Sequence, residues 1–407
     1  MIMTRMKLEK MTTGWMIGVG FGLALQLGHA ADAASTPKAE LMEMTGGLRV
    51  KVAWLQGGDG GKLLKFYDSK TDKIIDLPLK DATPPLFTAN GRQIVTHIGQ
   101  KESAEVVLYD TETQQTKTLT KGLSNTPMAV WTDPKSKRTW VYVNSTGDKG
   151  EAWNEAAGGP IYRFPTDKPE ARELFWDRTS SHFYLTFSAD GTRACFEPSW
   201  ANIGQLKLVF ATDGKVDQDK SEYKTFGGGC FPGFAPDNSY RLFRLEGDHR
   251  GIAMCDANNT KQRRITTTDM LKGADAKGQT WLTAWSKNPR YLTCMAPDSD
   301  HAMIWLGRFD EDCKKIEKWV RISESGGPKC WNSQAWVAAS AADNDGGPLI
   351  PMQAWTNSDG RKIQAAVQKV DGNKVTFRMA DGRQIEYALD KLSAKSQKAI
   401  VDAGGAE

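Results

Sequence analysis

Three histidines carry the side chains best suited to metal or proton chemistry. Only five histidines occur in the 407 residues, and His182, His249 and His301 fall in polar segments between strand-like runs. Imidazole binds divalent metals and changes its charge near neutral pH. A carboxylate at Glu197 or Asp248 would complete a metal site or an acid–base pair. No fixed spacing joins these residues, so the sequence also allows solvated loop side chains without a shared site.

Further loop residues could bind a ligand without catalysis. Trp153 and Trp200 lie outside strand-like runs and are candidates for stacking on a ligand. Most of the other tryptophans lie inside such runs and are expected to pack between sheets. The remaining binding candidates are charged loop residues: Glu197, Asp248, Arg250, Asp298 and Asp300.

Common catalytic signatures are missing from the sequence. It contains no Gly-x-Ser-x-Gly, His-Glu-x-x-His or Cys-x-x-Cys-His, the motifs of serine hydrolases, zinc proteases and haem attachment. Gly57–Lys62 is glycine-rich, but no Ser or Thr follows Lys62 and a strand-like run comes next, which predicts a hairpin turn. The sequence therefore favours a binding protein over an enzyme, with no cofactor beyond the possible divalent metal.

Composition is that of a soluble globular protein, with 40% hydrophobic and 25% charged residues. The 53 basic and 49 acidic side chains leave a net charge of only +4, which does not indicate a nucleic-acid-binding protein. The 39 glycines and 14 tryptophans suit many short strands joined by tight turns.

The first residues predict a cleavable signal peptide. A basic start is followed by an apolar stretch, Trp15–Leu27, and then by small residues that allow cleavage after Ala33 or, alternatively, after Ala30. The apolar stretch is shorter than the ~20 residues that span a bilayer, so no membrane span is expected after cleavage. We expect an exported protein, periplasmic or extracellular. Its six cysteines could form disulfides or remain buried thiols.

The body of the chain repeats with a period of roughly 40–50 residues, as β-propellers do. Each unit has an apolar run, a turn of small and polar residues, a second apolar run and a hairpin, and the turn residues let the chain reverse. The openings are Leu86–Gly91, Ala129–Pro134, Leu185–Gly191, Gly233–Asn238 and Leu282–Pro289. The predicted third strands are Val106–Asp110, Ile161–Phe164, Leu206–Phe210, Ile252–Asp256 and Ile304–Phe309.

A sixth unit can be assembled from both ends of the propeller segment. Arg49–Leu55, Leu63–Asp68 and Lys73–Leu77 supply three strands without an opening strand, and Cys330–Val337 has the character of the missing one. Pairing of the two ends would close the ring and remove its sheet edges. The sequence thus predicts an all-β fold with six blades, or alternatively seven, over residues 47–338.

The Ser-x-Asp-Gly and Ala-Pro-Asp-Asn turns of the openings resemble the TolB-type repeats of WD-like β-propellers in bacterial periplasmic proteins. The resemblance covers residues 47–338 and implies the fold, because this fold carries many unrelated activities. It is consistent with a scaffold, and oligogalacturonate-lyase-like propellers offer a precedent for an enzyme.

A polar linker at residues 339–350 precedes a small C-terminal module at residues 351–402. Three Asp-Gly pairs separate the predicted strands Ile363–Val370, Lys374–Met379 and Gln384–Ala388, and Ser393 can cap a short helix through Ile400. This order predicts a small SH3-like barrel. Trp355–Lys362, Asp381–Ile385 and Asp390–Ser393 resemble an SLA-type homology domain, which implies that fold and a possible peptide ligand. Similar modules occur in secreted proteins of planctomycete-like bacteria.

Two functions follow as expectations. The first is an exported binding or scaffolding protein whose propeller rim holds a protein, peptide or glycan partner. The second is a metal-assisted, lyase-like enzyme that acts on a polysaccharide at the same rim.

Overall fold

The computed structural model describes residues 37–58, 61–99, 104–121, 125–145, 160–177, 183–199, 201–267, 279–298, 301–323, 330–340, 343–344, 348–379 and 383–402. The predicted signal peptide, residues 1–33, lies outside these ranges. The described chain is built almost entirely of β-strands, with two nine-residue helices. Neither helix is long and apolar enough to cross a membrane.

Most of the strands lie between residues 50 and 337, in short antiparallel hairpins. The first twelve are β1 (Val50–Gly58), β2 (Gly61–Asp68), β3 (Lys73–Lys80), β4 (Leu86–Phe87), β5 (Gln93–Ile98), β6 (Glu105–Asp110), β7 (Thr116–Lys121), β8 (Asn125–Thr132), β9 (Thr139–Ser145), β10 (Ile161–Pro165), β11 (Glu173–Trp176) and β12 (Phe183–Phe187). The next twelve are β13 (Arg193–Ser199), β14 (Asn202–Lys207), β15 (Glu222–Gly227), β16 (Cys230–Phe234), β17 (Leu242–Leu245), β18 (Gly251–Cys255), β19 (Arg263–Thr266), β20 (Trp281–Trp285), β21 (Tyr291–Asp298), β22 (His301–Phe309), β23 (Ile316–Arg321) and β24 (Cys330–Val337).

These strands form six four-stranded antiparallel sheets. Five contain consecutive strands: the second sheet is β4 to β7, the third β8 to β11, the fourth β12 to β15, the fifth β16 to β19 and the sixth β20 to β23. The first sheet has the order β24-β1-β2-β3. The innermost strands contact one another in the cyclic order β24, β4, β8, β12, β16, β20 and back to β24. A closed ring of this kind is the arrangement of a β-propeller.

The ring is closed by pairing of its two ends, as the sequence predicted. Strand β24 runs antiparallel to β1, from the pair Val50 and Val337 to the pair Gln56 and Cys330. The predicted hairpin turn after β1 is also confirmed, because Gly58 pairs with Gly61. Closure leaves each innermost strand facing a neighbour on both sides.

Four of the five predicted third strands are confirmed to within a few residues. The exception is in the fourth sheet, where the third strand is β14 and the apolar run Leu206–Phe210 mostly lies beyond its end. Beyond this end Phe210 forms an isolated bridge with Val216, and within the strand Gly204 leaves room for Phe196, because a Cβ there would lie 2.7 Å from that ring. The strand therefore begins four residues before the predicted run.

Tryptophans at the ends of innermost strands pack on neighbouring sheets, which confirms their predicted packing role. Trp336 is buried and donates its Nε1–H to the Ala89 carbonyl at 3.2 Å. Its ring covers Gly91, which has a φ of +67° and where a Cβ would lie 2.1 Å from the indole. Trp285 likewise donates to the Gly233 carbonyl in the adjacent sheet at 2.9 Å. These contacts join the sheets around the ring.

A short helix that the sequence did not predict, α1 (Pro37–Thr45), covers an outer strand of the sixth sheet. Its Leu41 and Met44 are buried in the core. Lys318 of β23 pairs with Glu43 at 2.7 Å, and Arg308 donates to the Met44 carbonyl at 2.6 Å. The helix thus protects a sheet edge that would otherwise be open to pairing.

The seventh sheet lies at the C-terminus and consists of β25 (Ile350–Thr356), β26 (Lys362–Asp371), β27 (Lys374–Met379) and β28 (Gln384–Ala388) in that order. A single 3₁₀ turn and α2 (Ala394–Asp402) follow. Ser393 accepts a hydrogen bond from the Ser396 amide at 3.3 Å, which confirms the predicted helix cap. Strand β25 was not predicted. The core contains Trp355, Phe377 and Ile400.

Hydrogen bonds connect this C-terminal part to the ring. Asn90 donates to the Pro348 carbonyl and Arg92 to the Gln368 carbonyl, each at 2.9 Å. Asn344, within the predicted linker, accepts from the Arg49 amide at 2.7 Å. These described linker residues are therefore anchored to the ring.

All six cysteines lie in the described ranges as buried thiols that form no disulfide, which decides between the two alternatives that the sequence left open. Burial raises the pKa of the Cys195 thiol to about 12, and it raises the pKa of Cys294 as well. The cysteines therefore act as small core residues.

Candidate functional site

The predicted site residues that the structure describes lie at connections between second and third strands. We call this edge of the ring the rim and define it by Glu197, Asp248, His249 and Arg250. Glu197 lies near the end of β13, and the other three form the turn between β17 and β18. In the sixth sheet, Asp298 and His301 are backbone partners at the corresponding turn. Four candidates, Trp153, His182, Trp200 and Asp300, lie outside the described residues.

Glu197 is a buried carboxyl that holds two backbone segments together. Its Oε2 accepts a hydrogen bond from the Phe231 amide at 3.3 Å, and its Oε1 accepts one from the Ala201 amide at 3.4 Å. Both donors are non-glycine residues with a φ above +50°, a strained conformation. Burial raises the pKa of Glu197 to about 7, against the opposing effect of the two amides. The carboxyl is thus poised to gain or lose a proton near neutral pH.

His249 is packed rather than free. Its ring centroid lies 3.8 Å from that of Trp281, edge to face, and its backbone is held by hydrogen bonds with Glu246 and Thr280. Burial lowers the pKa of His249, which the Asp248 charge only partly opposes. In the described part of the chain, its buried Nδ1 has no hydrogen-bond partner. The imidazole is therefore neutral at pH 7.

Asp248 is held by its own turn and by a side chain of β19. Its Oδ1 accepts from the Arg250 amide at 2.9 Å, and its Oδ2 pairs with Arg264 at 2.7 Å. These hydrogen bonds lower the pKa of Asp248. Arg250 itself is exposed.

The described rim residues do not converge on a metal ion. No group of three His, Cys, Asp or Glu side chains with metal-binding geometry occurs among the residues that the structure describes. Glu197 and His249 occupy different sheets and have separate partners. Because His182 lies outside those residues, the predicted three-histidine site stays a prediction.

Sequence reasoning missed a polar groove between the fourth and fifth sheets. We call it the cationic groove; its volume is about 240 Å³, and most of its lining comes from the fourth sheet: Arg193, Gln205, Lys207, Glu222 and Lys224. The turn between β18 and β19 adds Ala257 and Asn258. The side chain of Gln205 donates to the Ala257 carbonyl and connects the two walls.

Strand register explains how the groove is assembled. Arg193, Lys207 and Glu222 are paired side by side on β13, β14 and β15. Gln205 and Lys224 are paired one step farther along and face the same side, because alternate strand residues share a face. In the sequence, the only sign of this groove is that polar and charged residues occupy alternate positions of β14 and β15.

Sequence reasoning also missed Lys287, which follows β20. Its Nζ donates to the Val130 carbonyl of β8 at 3.3 Å. In the cyclic order of innermost strands, β8 stands opposite β20, so this side chain crosses the middle of the ring. Desolvation lowers the pKa of Lys287 to about 8. Lys287 thus joins the two halves of the ring.

Comparison with known proteins supports the fold. No protein-family profile and no curated protein sequence matches the chain. Among solved structures, TolB from Acinetobacter baumannii is similar with a TM-score of 0.50 and 13% identity, over 73% of this chain and 70% of that one. A nidogen/laminin complex has a TM-score of 0.47 at 8% identity, over 70% of this chain and 98% of that one. An oligogalacturonate lyase in complex with manganese has a TM-score of 0.39 at 11% identity, over 84% of this chain and 85% of that one. At these identities the likeness shows the fold alone, a β-propeller similar to that of TolB.

Proposed function

We propose that this chain is a binding or scaffolding protein whose rim holds a protein, peptide or glycan partner. The observation that carries the proposal is that three of the four residues that define the rim are already held by neighbouring groups, while Arg250 stays exposed. Glu197 accepts two backbone amides, Asp248 pairs with Arg264, and His249 packs on Trp281. A surface whose polar groups are already ordered loses little entropy when a partner binds.

The proposal includes a finer architecture. It has six blades over residues 47–338, a linker at 339–350 and an SH3-like module of the SLA type at 351–402. The cyclic order of six innermost strands supports the blade number, and the separate core of the seventh sheet supports the module. We further propose export, with residues 1–33 removed, to the periplasm or the cell exterior; the basic, apolar and small-residue order of those residues supports it.

A lyase-like enzyme is the second candidate function. Glu197 favours it, because a carboxyl with a pKa of about 7 suits proton transfer at neutral pH. A divalent metal would be held by His182, His249 and His301.

Two measurements on the purified full chain separate the candidates. Elemental analysis of the wild type and of His249→Ala tests the metal: stoichiometric manganese, calcium or zinc that is lost in the variant contradicts a purely binding role. Co-purification followed by mass spectrometry tests the rim. We expect Arg250→Glu to lose a partner that the wild type retains.

Lys220→Gln is the matched control for the rim variant. Lys220 is an exposed cation paired with Asp217 at 2.9 Å, and it lies between the third and fourth strands of its sheet. The Lys220→Gln variant should therefore retain the partner. Equal partner recovery from both variants contradicts the proposed rim.

A further inference from the structure

The cationic groove has more positive than negative charge. Three of its lining side chains are cations, and Glu222 is the one carboxylate among them. Lys207 donates to Glu222 at 2.7 Å, and the Lys224 ammonium lies 3.9 Å from the same carboxylate. The groove therefore attracts anions.

Arg193 is the cation left for a ligand. Its guanidinium lies 5.7 Å from the centre of the Tyr240 ring. Within the described ranges, the structure gives this guanidinium no hydrogen-bond acceptor. A planar guanidinium held against an aromatic ring can present two N–H groups to a carboxylate or sulfate. The exposed amide of Asn258, across the groove, can bond to hydroxyl groups.

The lining also excludes other classes of ligand. Ala257 is its single apolar residue, so the groove lacks the buried aromatic or aliphatic anchors on which protein partners depend. The lining contains no aromatic side chain, so it offers no ring on which nucleic-acid bases could stack. At about 240 Å³ the groove is smaller than pockets that enclose a whole small molecule, and it suits one segment of a longer chain.

We propose that the cationic groove binds an acidic carbohydrate chain through its carboxylate or sulfate groups. Arg193 holds the anionic group, Lys207 and Lys224 supply the attracting charge, and Asn258 bonds to sugar hydroxyls. The proposal rests on the glycan form of the proposed function and places a second binding surface away from the rim.

Calorimetric titration of the full chain tests the ligand class. The probes are polygalacturonate for carboxylates, dextran sulfate for sulfates, neutral dextran and poly-glutamate. We expect at least one acidic glycan to bind, with an affinity that falls as salt screens the charges, and neutral dextran not to bind. The better of the two acidic probes identifies the anionic group. Poly-glutamate binding as tight as that of both glycans, or binding of neutral dextran, overturns the proposal.

Charge variants test the residues. Arg193→Gln should weaken the glycan affinity about tenfold or more, as expected for loss of a charge-assisted hydrogen bond. Glu222→Gln should strengthen it, because the variant removes the one negative charge in the groove. Lys220→Gln, in the connection between β14 and β15 and outside the groove, should leave the affinity unchanged. Thermal melting of all three variants checks that the fold is intact.

The variants also separate this proposal from the rim. If Arg193→Gln binds like Lys220→Gln, or if Glu222→Gln weakens binding, the groove proposal fails even when Arg250→Glu still loses its partner. If Arg250→Glu has no effect but Arg193→Gln does, the rim proposal fails and the groove remains.

Discussion

Glu112 is a carboxylate of the second sheet that pairs with two buried cations of the first, Arg49 and Lys51. We predict that Glu112→Gln lowers the free energy of unfolding by an amount that depends on pH. Its Oε1 lies 2.5 Å from the Lys51 ammonium and 3.0 Å from the Arg49 guanidinium. Lys51 also donates to Thr111 Oγ1 at 2.8 Å and to the Gly91 carbonyl at 3.0 Å. In Glu112→Gln both cations keep their other partners but lose this negative charge.

The size of the effect follows from the burial of Lys51. Burial lowers the pKa of Lys51 from 10.5 to about 8, although Glu112 opposes the shift. That difference corresponds to about 3 kcal/mol of unfavourable free energy for the charged form. Removing one partner of a fully buried pair costs about 3–5 kcal/mol. Because the Glu112 side chain is 22% exposed and Arg49 keeps Asp68, we expect a loss of about 2 kcal/mol at pH 7.

The sign of the pH dependence is fixed by the same pKa. The pKa of Lys51 is lower in the folded state than in the unfolded state. The stability linked to Lys51 is therefore present above pH 10.5 and is lost as the pH falls through about 8. In the variant the ammonium loses its proton at still lower pH. The difference in free energy of unfolding between wild type and variant should therefore shrink to below about 1 kcal/mol at pH 9.5.

Urea unfolding followed by tryptophan fluorescence at pH 7 and pH 9.5 measures this difference. Glu173→Gln is the matched control, because Glu173 is 23% exposed and pairs with the buried Arg163. An arginine does not deprotonate in this range, so the control should lose equal stability at both pH values. A Glu112→Gln loss that is the same at pH 7 and pH 9.5, or that is absent at pH 7, refutes the reasoning.

Three further outcomes test the fold and Glu197. Gly91→Ala should lower the free energy of unfolding in urea by more than about 2 kcal/mol, because the Cβ would lie 2.1 Å from Trp336; Gly360→Ala, at φ +82° with open space around it, should cost about 1 kcal/mol. The raised pKa of Glu197 contributes stability below pH 4.5 that is lost as the pH rises through 7, so Glu197→Gln should remove about 2–3 kcal/mol of the decline in urea stability between pH 5 and pH 8. Ending the chain after Ser340 should leave a cooperative thermal transition by circular dichroism, and ending it before β24 should abolish that transition. Equal losses of stability in Gly91→Ala and Gly360→Ala would contradict the first expectation. An unchanged pH profile in Glu197→Gln would contradict the second, and a cooperative transition without β24 would contradict the third.

The ring was predictable because its signals are local. Each unit opens with an apolar run and a turn whose Asp, Asn or Gly residues reverse the chain, and these signals lie within six to eight residues. Prediction failed where packing at a distance overrides local hydrophobicity. Strand β14 contains Gly204, which pairs with Phe196 of the neighbouring strand and leaves room for its ring. Helix α1 has only Leu41 and Met44 as a clear apolar face, which is a weak local pattern.

The candidate site was less predictable because distant residues create its properties. The sequence marks Glu197 as a loop carboxylate, but its raised pKa comes from burial in the folded ring, where it accepts a hydrogen bond from the Phe231 amide of the next sheet. Lys287 meets Val130 only because the ring brings opposite strands together. The cationic groove needs the register of three strands, which single-strand alternation does not supply.

The distant origin of β24 also governs folding kinetics. Sheets two to six each consist of consecutive strands, so each can form through local hairpin steps. The first sheet must instead close a loop on the order of 280 residues, at an entropic cost of about 5 kcal/mol by the logarithmic law for flexible loops. Because this entropy is lost before the pairing of β24 with β1 gains any free energy, closure of the first sheet is expected to limit the folding rate. The speed at which the ring forms therefore depends on this strand.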